Sequence, residues 1–91
     1  MTKKPVSIEF CVMWNYFPNA ARVAEELLKF KENLSEIVLI PSSGGVFEVK
    51  VGDQLIFSKK KLARFPEEGE ISNIIKEKRL LTEAGRNGNI S

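Results

Sequence analysis

The sequence has no histidine and only one cysteine, Cys11. Without imidazole there is no histidine base, no His-ligated metal and no Ser-His-Asp triad. One thiol excludes an intramolecular disulfide and a zinc site of several cysteines. Long apolar runs are missing too: none approaches the roughly 20 residues of a membrane-spanning helix. The basic start, Met1-Thr2-Lys3-Lys4-Pro5, leads into a strand-like segment with Glu9 inside it, which is not a signal-peptide core. Excess charge of one sign is absent, since 14 Lys+Arg face 12 Asp+Glu. That balance does not by itself imply nucleic acid. The expectation is a cytoplasmic protein with no metal, no membrane span and no nucleic-acid partner, its lone thiol kept reduced.

The residues that are present describe one folded unit. The chain has 91 residues, 43% apolar and 29% charged. A chain of this size buries roughly 60–70% of its unfolded surface, enough for one modest core. The expected domain spans 1–81, and Thr82 to Ser91 reads as a frayed tail of residues 82–91.

Periodicity assigns the elements. Val6, Ile8 and Phe10 alternate with Ser7 and Glu9, so Val6 to Cys11 reads as a strand. From about Pro18 to Asn33 the period becomes helical, with Ala20, Val23, Ala24, Leu27 and Leu28 on one side. Pro18 fits the first turn, and Asn15 is the candidate cap. Ile37-Val38-Leu39-Ile40 is wholly apolar and reads as a strand covered on both faces. Val46–Val51 and Gln54–Ser58 flank Gly52-Asp53, the pattern of a tight hairpin. Ser58 to Arg64 reads as a basic loop. A last helix begins after the acids Glu67, Glu68 and Glu70, carries Ile71, Ile74 and Ile75, and ends in Lys76, Lys78 and Arg79.

The order β-α-β-β-β-α restricts the topology. Strand, helix, strand makes a right-handed parallel unit. Pro41–Gly45 is too short for another crossover helix, so the third strand runs antiparallel on the far side of the first. The expected fold is α/β, thioredoxin-like, with a four-stranded mixed sheet ordered 2-1-3-4 and two helices. Its expected core is Val6 or Ile8, Phe10, Val23, Leu27, Val38, Ile40, Val49, Ile56, Ile71, Ile74 and Ile75.

In that topology Cys11 ends a central strand just before a helix, the edge where α/β sheets place their chemistry. A helix N-terminus favours thiolate over thiol, so alkylation faster than that of a free cysteine peptide is expected. The structural alternative is a small apolar residue that completes the strand. Gly44-Gly45 reads as a turn beside Cys11; it lacks the spacing of a phosphate-binding motif. Ser42 and Ser43 are placed to bond a thiol substrate or to satisfy the loop. Glu9 and Glu48 are candidates to pair with Lys50 or Arg22, or to tune Cys11. Lys59-Lys60-Lys61, with Arg64 and Phe65, reads as a solvated edge rather than a nucleic-acid surface.

Phe10-Cys11-Val12-Met13-Trp14-Asn15-Tyr16 at the end of the first strand resembles the redox site of the selenoprotein W-like (Rdx; selenoprotein T/W/H) family. Gly44-Gly45-Val46-Phe47-Glu48-Val49, Ser58-Lys59-Lys60-Lys61 and Arg64-Phe65-Pro66 extend the likeness from about Ile8 to Lys78. The resemblance implies a thioredoxin-like fold and thiol or selenol redox work with glutathione or protein thiols, without a tightly bound cofactor. It makes Cys11 the candidate nucleophile and Trp14 the occupant of the family's second redox position. Trp14 stands where the family carries cysteine or selenocysteine, so the internal resolving step is missing. Selenocysteine is encoded by UGA, which a tryptophan tRNA can misread; a UGG codon at position 14 would remove that origin for Trp14. The other expected function is a non-catalytic interaction module that presents Trp14, Tyr16 and Phe17 to a protein partner. Trp14 is expected to be at least partly exposed.

Overall fold

The computed structural model describes residues 3–81, so the tail expected over 82–91 lies outside the described residues. Strand β1 (Lys4–Cys11) leads through a turn to helix α1 (Phe17–Glu26). A 3₁₀ segment, Leu27–Asn33, delivers the chain to β2 (Leu34–Ser42). Strands β3 (Phe47–Val51) and β4 (Gln54–Ser58) form the hairpin, followed by short α2 (Lys59–Leu62) and α3 (Glu70–Glu77). The sheet order is β2-β1-β3-β4. β1 runs parallel to β2 and antiparallel to β3, and β4 runs antiparallel to β3. This is the fold expected from the sequence.

Alternation along the strands gives the sheet one apolar face. Val6, Ile8 and Phe10 of β1, Phe47, Val49 and Val51 of β3 and Phe57 of β4 are buried against Ala20, Val23, Leu27, Phe30, Ile71 and Ile75. Each large side chain taken fully out of water stabilises by roughly 1.5–3 kcal/mol. Ser7, Glu9, Glu48 and Lys50 stand at the alternate positions, half-buried or exposed.

Five local expectations change. The helix expected over Pro18–Asn33 is α-helical only to Glu26; the backbone leaves helical geometry at Phe30 (φ −103°, ψ 17°), which turns its ring into the core. Asn15 does not cap α1. It adopts φ 58° inside the preceding turn, and Tyr16 holds the cap position without a side-chain bond. The basic loop after Ser58 contains the helical turn α2, closed by Ala63 in the left-handed region. Finally, β2 is an edge strand and is not covered on both faces: Leu39 and Ile40 are exposed, and Val38 is half-buried. Ile56 and Ile74 are half-buried rather than central, while Phe30, Leu34, Phe47 and Phe57 supply core volume that the expected set omitted.

One carboxylate joins the two long helices. Glu26, at the end of α1, accepts hydrogen bonds from Gly69 N–H (3.2 Å), Ser72 N–H (2.9 Å) and Ser72 Oγ (2.8 Å). It caps the start of α3 from a distant part of the chain, because Gly69 has no side chain to do so. Arg22 adds a bond to Pro66 O at 2.9 Å, which fixes the segment entering α3.

Candidate functional site

Cys11 is the last residue of β1, and the next five residues form a compact turn. Asn15 N–H donates to Val12 O at 3.0 Å, and Tyr16 N–H returns to Cys11 O at 3.1 Å. The left-handed Asn15 lets the chain reverse in so few residues; asparagine tolerates that conformation better than most. Neighbouring strands anchor the base of the turn. Cys11 N–H donates to Val46 O (2.9 Å), and Val12 N–H donates to Ser42 O (3.0 Å).

Cys11 itself is completely buried. In the first turn of α1, Asn19 and Ala20 N–H both donate to Tyr16 O at 3.1 Å, and Pro18 has no N–H. The side chains over the turn are, by contrast, exposed and apolar: Val12, Met13, Trp14 and Phe17 all face solvent, Trp14 at 64%. The expected exposure of Trp14 is therefore observed. Tyr16 differs from Trp14 and Phe17 in being half-buried.

Trp14 leans towards the loop between β2 and β3. A Cβ built on Gly45 would meet its Cζ3 at 2.6 Å, so the indole rests on the bare glycine backbone. Gly45 also has φ 73°, a region that disfavours side chains for a separate reason. Trp14 meets Tyr16 edge-on at 6.1 Å between ring centroids. Tyr16 in turn meets Phe65 at 4.6 Å, and Phe65 meets Phe47 at 5.3 Å. An aromatic chain thus runs from the exposed turn into the core.

Beside Trp14 lies a groove of about 490 Å³ whose walls include Ser43, Gly45, Val46, Glu48, Lys59 and Lys60. The Lys59 ammonium stands 5.5 Å from the Tyr16 ring centroid and 5.4 Å from that of Phe65. Its charge is held by aromatic faces rather than left in a fully solvated loop. Glu48 accepts a hydrogen bond from Ser58 Oγ at 3.1 Å instead of pairing with Lys50 or Arg22. The sequence reading missed Lys59 because a ring contact across two loops leaves no local pattern.

Among the described residues no three His, Cys, Asp or Glu side chains stand together as a metal site. No helix among them is long and apolar enough to cross a membrane.

A four-stranded sheet in this order, packed by helices, with a cysteine closing its first strand, defines a thioredoxin-like protein. Residues 5–77 match the Rdx family, and the chain belongs to that redox-associated family. Its fold is similar to the crystal structure of a selenoprotein W-related protein from Vibrio cholerae, with TM-score 0.79 and 27% identity over 84% of this chain and 96% of that one. A crystal structure from Bordetella parapertussis shares the fold at TM-score 0.75 and 22% identity, covering 84% of this chain and 98% of that one. A comparison with curated proteins finds no match. Within the family pattern, Trp14 replaces the second redox residue and Cys11 is the single cysteine.

Proposed function

We propose that the protein is a thiol redox protein that works through Cys11 alone, with glutathione or a protein thiol as partner. The observation that supports the reading is the position of the only sulfhydryl, at the carboxyl end of a central strand and at the base of the turn that, apart from Trp14, resembles the family's redox motif. In the forward step Cys11 thiolate attacks a disulfide. A new S–S bond forms to one half, and the other half leaves as thiolate. Trp14 cannot attack that mixed disulfide, so an external thiol must do so, releasing Cys11 and carrying away the disulfide. Because Cys11 is buried, its cover must open first, and we take the Val12–Tyr16 turn that directly follows it as the segment that opens. Bonds that hold the turn therefore set access to the sulfur.

The test is intact mass after treatment with oxidised glutathione. The expected product is one adduct that dithiothreitol removes. Trp14→Cys should make this adduct transient and yield an internal disulfide. Absence of any adduct, with Cys11 alkylated normally after unfolding, overturns the redox reading. That outcome favours the second reading, a non-catalytic interaction module. The second reading rests on a specific observation: the sulfur is covered while Val12, Met13, Trp14 and Phe17 are presented to solvent.

A further inference from the structure

Two grooves of similar size differ in how their charged groups are used. The groove between α1 and α3, about 470 Å³, has Glu25, Glu26 and Glu68 in its walls together with Arg22 and Lys29. Glu26 caps α3 and Arg22 bonds Pro66 O, so both are engaged in joining the helices. In the groove beside Trp14, about 490 Å³, the charged residues are Lys59, Lys60 and Glu48. Among the described residues neither ammonium has an ion-pair partner. Lys59 is steadied by the rings of Tyr16 and Phe65, which attract a cation without neutralising it. Glu48, the one carboxylate, already accepts the bond from Ser58 Oγ. The walls are left with a net positive charge in a concave site, where a field is focused.

Backbone donors add to that charge. Gly44 and Gly45 line the groove, and among the described residues their N–H groups meet no acceptor. Open space lies where a side chain at Gly44 would stand, so a ligand can approach its backbone closely. Trp14 supplies an exposed apolar wall. Val46, also in the wall, accepts the hydrogen bond from Cys11 N–H at 2.9 Å, so the groove adjoins the strand end that carries the sulfur. Its volume suits a small molecule, since such sites usually measure roughly 300–1,000 Å³.

We propose that this groove binds small thiols and disulfides that carry carboxylates, with Lys59, Lys60 and the Gly44 and Gly45 amides as the donors to the anion. The site deepens the thiol reading above and rests on it for the chemical step alone. A disulfide held here by its carboxylates is brought to the end of β1. Once the cover opens, Cys11 thiolate attacks one sulfur of the disulfide. That sulfur becomes bonded to Cys11, the old S–S bond breaks, and the other half leaves as thiolate. Lys59 and Lys60 thus select the disulfide by charge, acidic before neutral and neutral before cationic.

The test uses two kinds of probe. S-methylglutathione carries two carboxylates and no exchangeable sulfur, so it reports binding alone. In residue-resolved NMR it should shift the Gly44 and Gly45 amides and the Trp14 indole N–H saturably, and its diester should not. Lys59→Gln and Lys60→Gln should each weaken binding roughly two- to fivefold, the scale of one partly exposed ion pair. Lys60 is exposed, so its variant changes the charge without disturbing the fold. Glu48→Gln keeps an acceptor for Ser58 and should strengthen binding. Lys31→Gln makes the same change of net charge outside the groove and should have no effect. Salt at about 1 M should abolish binding, because it screens exposed charges beyond about 3 Å. Rates of Cys11 adduct formation are then measured with oxidised glutathione, hydroxyethyl disulfide and cystamine, each divided by its rate with a free cysteine peptide. The expected order is acidic, neutral, cationic. No shift at the groove, equal binding of the diester, no loss in either groove-lysine variant, or an equal loss in Lys31→Gln overturns the proposal. Equal normalised rates overturn selection by charge and leave the thiol reading standing. Binding at the groove without an adduct from any disulfide supports the site and overturns the thiol reading.

Discussion

The Trp14 indole occupies the space a side chain at Gly45 would need, with 2.6 Å between Trp14 Cζ3 and a Cβ built there. Gly44 is the control: it has a similar φ of 77° but nothing within 4 Å of such a Cβ. We predict that Gly44→Ala and Gly45→Ala each lose about 1–2 kcal/mol, the cost of a side chain in the left-handed region. Only Gly45→Ala should displace the indole. Trp14 is the single tryptophan, so its emission reports directly. Acrylamide quenching should rise in Gly45→Ala and stay unchanged in Gly44→Ala. Equal quenching in both would mean that Trp14 does not rest on Gly45.

Burial of Cys11 reverses an expectation drawn from its position. A thiol ending a strand before a helix suggests fast alkylation, but a sulfur that solvent cannot reach reacts only when its cover opens. We predict that iodoacetamide modifies native Cys11 more slowly than a free cysteine peptide at the same pH, with the difference vanishing in urea. Asn15→Val should speed the native reaction about tenfold. A β-branched residue opposes the left-handed backbone at position 15, and about 1–2 kcal/mol of strain shifts the closed turn towards the open one. A native rate equal to the peptide rate would show that the turn gives no protection.

The capping of α3 by Glu26 makes a separate prediction about stability. Glu26→Ala leaves the Gly69 and Ser72 amides without their acceptor. Losing such a cap costs about 1–2 kcal/mol, or roughly 4–8 °C in Tm per kcal/mol for a domain of this size. Ser72→Ala removes only the hydroxyl bond at 2.8 Å and should cost less. Thermal unfolding of both variants checks the order; a larger loss for Ser72→Ala would contradict it.

Much of this arrangement was legible in the chain itself. Strict alternation at Val6, Ile8 and Phe10 and the Gly52-Asp53 punctuation specify the strands, and short connections restrict their order. The position of Cys11 followed from that topology. Its burial was one of two readings the strand pattern left open, because the outcome depends on the surroundings of the strand end, including a five-residue turn that rests on backbone bonds and a left-handed asparagine. The apolar run Ile37–Ile40 misled for a related reason. Composition reports a need for cover without saying whether the same chain provides it. Glu26 and Lys59 act across long sequence separations, on Ser72 and on the rings of Tyr16 and Phe65, so no local spacing announces them.

The pair Arg64–Glu70 gives stability a defined dependence on pH. Arg64 donates two parallel hydrogen bonds to the Glu70 carboxylate, at 2.7 and 2.8 Å, and Glu67 N–H donates a third at 2.9 Å. The Arg64 hydrogen bonds are the main cause that holds the Glu70 carboxyl down at about 2, from an ordinary value of 4.5. The folded state therefore binds this proton less readily than the unfolded state. Its contribution is fully present above about pH 4.5 and is lost as pH falls towards 2. The pair is partly solvated, with side chains 45% and 23% exposed, so its effect at neutral pH is small and screened by salt. We predict that Arg64→Met lowers the urea midpoint slightly at pH 7. As pH falls towards 2 the gap between the variant and the parent should close, because protonation of Glu70 removes the charge that Arg64 binds. Measuring both midpoints between pH 7 and pH 2 reads only the difference between the two proteins, so carboxylates that Arg64 does not meet drop out; Glu67, which also attracts Arg64, stays in the difference as a smaller cause. A gap that widens on acidification would have the wrong sign and would remove the Arg64–Glu70 pair as the cause.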